Sequence, residues 1–176
     1  AAGSVALSFR LFNAMGGHSG DDINKERMNT VQQMARFLYD LSSKIKFQLV
    51  SINGGGKHNA IARECTSVIL LSPEVKEVAL HEFEDFFNAL KNEFQHSDPN
   101  VMSEVHEQND VLLPIDSAVA EKLISALVAV HHGVLSMSQD IPGLVETSNN
   151  LASVKFTEPG VIEVCTSQRS SVDNAK

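Results

Sequence analysis

The apolar residues of this chain change their period along its length, and that change limits the fold more than any other feature. Val5, Leu7, Phe9 and Leu11 alternate with Ala6, Ser8 and Arg10, the period of a strand with one buried face. Gly16 and Gly17 end that stretch, and from Val31 the spacing becomes helical: Val31, Met34, Ala35, Leu38 and Leu41 make one stripe, with Ser19 and Asp21 as candidate caps. "IKFQLVSING" returns to strand, and the glycine-rich loop "GGGKHNAIARE" leads to "CTSVILLS", whose unbroken apolar run suits a strand buried on both faces. Pro73 and Glu74 open a second helix, in which Val75, Val78, Ala79, Phe83, Phe86, Phe87, Leu90 and Phe94 predict a wide aromatic face. The polar stretch "QHSDPNVMSEVHEQND" reads as a loop or frayed link and is the best internal boundary. Val119, Leu123, Leu127, Val130 and Val134 mark a third helix, and "GLVETSNNLASVKFTEPGVIEVCTSQRS" reads as two strands joined at Glu158-Pro159-Gly160. An α+β fold buries all these stripes at once: two layers, an antiparallel or mixed sheet with helices on one face.

At 176 residues the chain suits a single domain with a real core, and 43% hydrophobic against 20% charged residues is a globular balance. The net charge of -8, with no basic cluster, argues against a nucleic-acid or anionic-membrane surface. No apolar run approaches the roughly 18 residues of a membrane span. Cys65 and Cys165 stand far apart in apolar, β-branched surroundings and read as two buried thiols rather than a disulfide, which fits a reducing compartment. A strand begins almost at the first residue, and "SQRSSVDNAK" stops where Ser170 or Ser171 can cap a new helix. The expectation is a piece excised from a longer protein.

One short segment stands out chemically. In "MGGHSGDDIN" glycines flank His18, so the backbone can bend sharply and the imidazole is presented without shielding neighbours. Spacing alone leaves open whether that histidine is a catalyst or the ornament of a turn. Asn59, beside Gly54, Gly55 and Gly56, offers donor and acceptor where backbone can approach a ligand; a turn-stabilising amide is the competing reading. The same loop is no phosphate cradle, because Lys57 precedes His58 rather than Ser or Thr. His96-Ser97-Asp98 has metal-ligand spacing but reads as a surface helix end. His81-Glu82 lacks a second histidine four residues on. His131 and His132, on a helical stretch, would point about 100 degrees apart and are expected to be one packed and one exposed. Cys65 and Ser19 have no organised base. The residues by themselves describe an α/β module with one presented histidine and no complete active site.

"GGHSGDDI" followed by Arg27 and Asn29, then "NGGGKHNAIARE", "GLVETSNNLASV" and the closing "RSSVD", resemble in that order the lid, or dimerisation, domain of aminoacyl-histidine (Xaa-His) dipeptidases, in the M20 group of di-zinc peptidases. The resemblance spans nearly the whole chain, so residues 1–176 are expected to be one lid domain. It implies a ferredoxin-like layer that pairs with a second subunit to make a homodimer, in a cytoplasmic hydrolase acting on dipeptides. It implies two zinc ions and a general base held by a catalytic domain elsewhere in the same chain, with no metal ligand and no cofactor here, and hence no activity of this piece alone. By the same resemblance His18 reaches the partner's active site and polarises the scissile carbonyl, Asn59 contacts substrate, and Arg169 clamps its carboxylate. His58, Ala62 and Asn24 stand where many members have Arg, Pro and His, which leaves the preferred substrate side chain open. A free-standing ferredoxin-like module that binds a small ligand in its glycine loops is the alternative.

Overall fold

A computed structural model describes residues 3–109, 112–158 and 160–172. Its elements are β1 (Val5–Phe12), β2 (Gly17–His18), α1 (Thr30–Ser42), β3 (Phe47–Gly55), β4 (Ala60–Ile61), β5 (Cys65–Leu71), α2 (Lys76–Glu93), β6 (Met102–Gln108), α3 (Ser117–Ala129), β7 (Gly133–Met137), β8 (Val145–Glu158) and β9 (Val161–Ser170). Pro159 of the expected turn and Asp173 of the closing stretch lie outside the described residues.

The main sheet runs β6-β1-β5-β3-β8-β7, with β9 also on β8, and every pairing is antiparallel. Its first four strands, joined as β1-α1-β3-β5-α2-β6, are the β-α-β-β-α-β order of a ferredoxin-like layer. The expected α+β, two-layer fold is what the chain adopts. The alternation read in β1 sends Leu7, Phe9 and Leu11 into the core. There Phe9 meets Phe37 of α1 and Phe83 of α2, with ring centroids 4.8–5.0 Å apart. Both helices therefore cover the Phe9 face, and such edge-on aromatic contacts add to their area burial. As its apolar run implied, β5 is central, and its residues from Ser67 to Leu71 are buried whichever face they occupy.

β8 ties the second half to this layer. One of its edges takes β9 along nearly its whole length, from Thr147 to Glu158. Its other edge is shared, Ser153 and Val154 pairing with Gly55 and Gly54 of β3 while residues 145–149 pair with β7.

Four local expectations are corrected. α1 is capped by Asn29, whose Oδ1 accepts from the N–H groups of Val31 and Gln32, rather than by Ser19 or Asp21. The polar stretch after α2 is no boundary, for Met102–Gln108 form the edge strand β6 along β1. An edge strand with one wet face needs few apolar residues, and here Val105 alone of Ser103 to Gln108 packs on the core. The third helix stops at Ala129; Val130 is extended, Gly133 turns at φ +121°, and Val134 belongs to β7. On α2 one residue leaves the expected face: Val78 is exposed, whereas Ala79, Phe83 and Leu90 are buried and Val75, Phe86, Phe87 and Phe94 pack against the core as the spacing implied.

Candidate functional site

The loop that carries His18 is held in shape from below. Gly16 and Gly17 both adopt positive φ, +63° and +137°, where side chains are strained. A Cβ on Gly17 would also lie 2.5 Å from Arg27 Nη1 and from Asp22 Oδ2. Those two groups are the loop's clamps: Arg27 donates to the Gly16 carbonyl at 2.6 Å, and Asp22 accepts from the His18 N–H at 2.8 Å. Lys25, 2.6 Å from the other Asp22 oxygen, and that backbone N–H hold the Asp22 carboxyl below the usual carboxylate range, with Arg27 adding to the effect. The clamp is therefore charged at neutral pH.

The His18 ring is oriented by its own turn. Nδ1 accepts from the N–H groups of Gly20 and Asp21 at 3.2 and 3.3 Å, which in the neutral ring leaves the proton on Nε2. Asp21 Oδ2, 3.4 Å from the same nitrogen, pairs with it only when the ring is protonated. With its side chain 38% exposed, the imidazole presents a hydrogen-bond donor outward.

The other two residues singled out by sequence are close to this loop. His18 pairs with Ala60 across β2 and β4, and the Ser19 N–H donates to the Asn59 carbonyl at 2.9 Å. Asn150, buried in β8, donates from one amide to the carbonyls of His58 and Ala60 at 3.1 and 3.0 Å. The backbone on both sides of Asn59 is thereby tied to the sheet, and Asn59 itself lines a shallow groove of about 910 Å³ with Lys57, Ser153, Lys155 and Thr166. Arg169 sits on β9 opposite Ser148, and its guanidinium reaches Gly20: a Cβ there would lie 2.2 Å from Arg169 Nη1 and 3.2 Å from His18 Cε1. Segments more than a hundred residues apart in sequence thus meet around one turn. The arrangement offers an imidazole, a side-chain amide and a guanidinium, a set that suits a small ligand with a carbonyl and a carboxylate.

Sequence reasoning missed the parts that hold this set together, Asp22, Gly20 and Asn150. Asn150 had a readable signal, since asparagine is depleted in strand interiors and a buried one needs partners.

The remaining candidates resolve differently. His96 is exposed as expected, but Asp98 is buried rather than part of a surface helix end, and its two oxygens accept the N–H groups of Met15 and Met28 at 2.7 and 3.0 Å. It anchors the entry and exit of the His18 segment. His81 is exposed on α2, beside Asp85 one turn on. Cys65 is a buried free thiol whose ionisation burial opposes, and Cys165 is free and half-buried. Among the described residues, no three or more His, Cys, Asp or Glu are placed to hold a metal ion.

His131 and His132 divide as expected, His131 exposed and His132 packed, though after the helix rather than on it. His132 Nδ1 takes the Leu151 N–H at 3.3 Å and faces Asn29 Nδ2 at 3.2 Å, and Asn29 also donates to the Leu151 carbonyl. Burial, with His131 nearby, pushes the His132 pKa down from 6.5 to about 4. Between those values the unfolded chain binds the extra proton, so the stability is full above pH 6.5, falls as the pH drops through the window and levels off below pH 4. The expected loss from pH 7 to pH 5 is about 2 kcal/mol. Urea unfolding at both pH values measures it, and His132→Gln should flatten the difference; equal pH dependence in both proteins would remove His132 as the cause.

Comparison with known proteins bears on the family and the fold. Residues 9–101, just over half of the chain, match the family model of the M20 peptidase dimerisation domain. The cytosol non-specific dipeptidase of Escherichia coli (strain K12) is 28% identical over 175 residues, 99% of this chain and 36% of that protein. The crystal structure of aminoacylhistidine dipeptidase from Vibrio alginolyticus superposes with a TM-score of 0.93 at 30% identity, covering 99% of this chain and 35% of that one. The chain spans little more than a third of the length of these relatives. No described helix is long and apolar enough to cross a membrane.

Proposed function

The chain belongs to the M20 peptidase dimerisation domains, and from that premise we propose that residues 1–176 are the lid of a longer dipeptidase that works in the cytoplasm as a homodimer. One observation carries the reading: His18 and Arg169 meet at Gly20, and the Asn59 loop is bonded to the same turn through the Ser19 N–H. In this reading the lid completes a substrate site whose other half lies on the catalytic domain.

The division of labour follows from chemistry. The His18 Nε2–H donates to the scissile carbonyl of a dipeptide and steadies the negative charge that grows on its oxygen. Arg169 offers two parallel donors to the terminal carboxylate, a task its planar fork suits. Asn59, on a tethered loop, bonds the peptide between them. The two zinc ions and the general base are those that the resemblance assigns to the catalytic domain, and no step in this chain runs through them. His18 serves the neighbouring subunit of the homodimer, which makes dimerisation part of the chemistry.

The test uses the full reading frame. The longer protein is expected to hydrolyse dipeptides in a chelator-sensitive way, whereas this chain alone hydrolyses none. Chelator-sensitive hydrolysis by the isolated chain, or none by the full-length protein loaded with zinc, would overturn the reading.

A further inference from the structure

Gly20 is the point at which His18 and Arg169 meet the same backbone. A Cβ built on it would lie 2.2 Å from Arg169 Nη1, 3.0 Å from Arg169 Cζ and 3.2 Å from His18 Cε1. The guanidinium therefore occupies the volume that a side chain at this position would fill, with the imidazole along its rim. The Gly20 N–H, meanwhile, donates to His18 Nδ1.

We infer that Gly20 is a positioning residue: by having no side chain it leaves the notch that seats the Arg169 guanidinium next to His18, and so sets the reach between the carboxylate clamp and the carbonyl donor. This rests on the roles proposed above for those two residues. The need for glycine here is steric and not conformational. Gly20 is not in the left-handed region that strains other residues, unlike Gly16 and Gly17. The atoms a Cβ would meet first are the far end of a flexible side chain, which can swing away without moving backbone. The backbone N–H to His18 survives any substitution except proline. An added methyl should thus displace the guanidinium while leaving the fold and the histidine tautomer in place, which separates positioning from stability.

The reach so fixed is a specificity device. A guanidinium seated in the notch meets a carboxylate one residue beyond the scissile carbonyl; pushed out of it, the same charge is too distant or misdirected to make a bidentate pair. The site should then lose its preference for a free C-terminal carboxylate while still accepting the peptide group.

The experiment uses the full-length zinc enzyme, a dipeptide it hydrolyses, and the C-terminal amide of that dipeptide as competitive inhibitor. Gly20→Ala is expected to raise the KM of the dipeptide roughly 10-fold or more, the usual worth of a charge-assisted hydrogen-bond pair, with the amide's Ki and the melting temperature nearly unchanged. Arg169→Ala should do the same, and the double variant should be no worse than Arg169→Ala alone, because both act through one contact. A normal dipeptide KM in Gly20→Ala beside a raised one in Arg169→Ala would overturn the inference alone. Normal values in both would remove the clamp beneath it. If Gly20→Ala fails to fold, the double variant, with the space reopened, should fold; failure of both would show that Gly20 serves the fold and not the guanidinium.

Discussion

His18→Ala in the full-length enzyme is expected to lower kcat by about 10²–10³-fold, with its KM and melting temperature close to the parent's. The asymmetry follows from where the ring stands. It is 38% exposed and, among the described residues, its bonds are to its own turn, through Gly20 and Asp21, so its removal opens no cavity in the core. The turn keeps its shape from the Asp22 and Arg27 clamps, which act on backbone and not on the imidazole. On the role proposed for it, what is lost is a donor aimed at charge that appears only in the transition state, and such losses fall on kcat. A folded variant with unchanged turnover would sink the role. Mixing His18→Ala subunits with subunits disabled at the zinc site should restore part of the activity, since one hybrid site combines an intact lid with an intact metal centre. No recovery after proven subunit exchange would mean that the histidine serves its own chain.

The largest effect on stability is expected from Gly55→Ala. Gly55 has φ +70°, and a Cβ there would fall 1.9 Å from the Ala152 carbonyl oxygen, a backbone atom that cannot swing aside. Strain and overlap together should cost about 3–5 kcal/mol. The damage has a direction, because Gly54 and Gly55 make the only pairings of β3 with β8 among the described residues. If this junction opens, β8 and its partner β9 lose their register with the ferredoxin-like layer, and the Asn150 tether and Arg169 move with them. Gly56→Ala, one residue on, is the control: nothing lies within 4 Å of its Cβ position and its φ is ordinary. Urea unfolding of the two variants, differing by less than about 1 kcal/mol, would refute the account.

The comparison between sequence and structure follows a physical line. Periodicity reported what is buried, so β1, α1 and β5, whose apolar residues pack in the interior, were legible with their core residues. It was silent where burial is small: β6 hides in a polar stretch because an edge strand asks for few apolar side chains, and β7 hides in a helical spacing that Val134 happens to continue. Caps depend on geometry that spacing does not carry, which is why Asn29 replaced Ser19 and Asp21. Of the candidate site, His18 and Asn59 stood out through their glycine neighbours and Arg169 through the resemblance alone. What positions them did not, because Asp98, Asn150 and Gly20 act through backbone carbonyls, N–H groups and an empty volume, and none of these leaves a pattern along the chain.

The tether at Asn59 also bears on how such a site can diversify. Asn150 grips residue 58 by its carbonyl, which every amino acid possesses, while the His58 side chain stands in solvent at the margin of the groove. A new residue at 58 changes the wall of the groove and leaves the anchorage intact. If the groove serves substrate as proposed, position 58 is a place where side-chain preference can be retuned one mutation at a time, without first rebuilding the machinery around it.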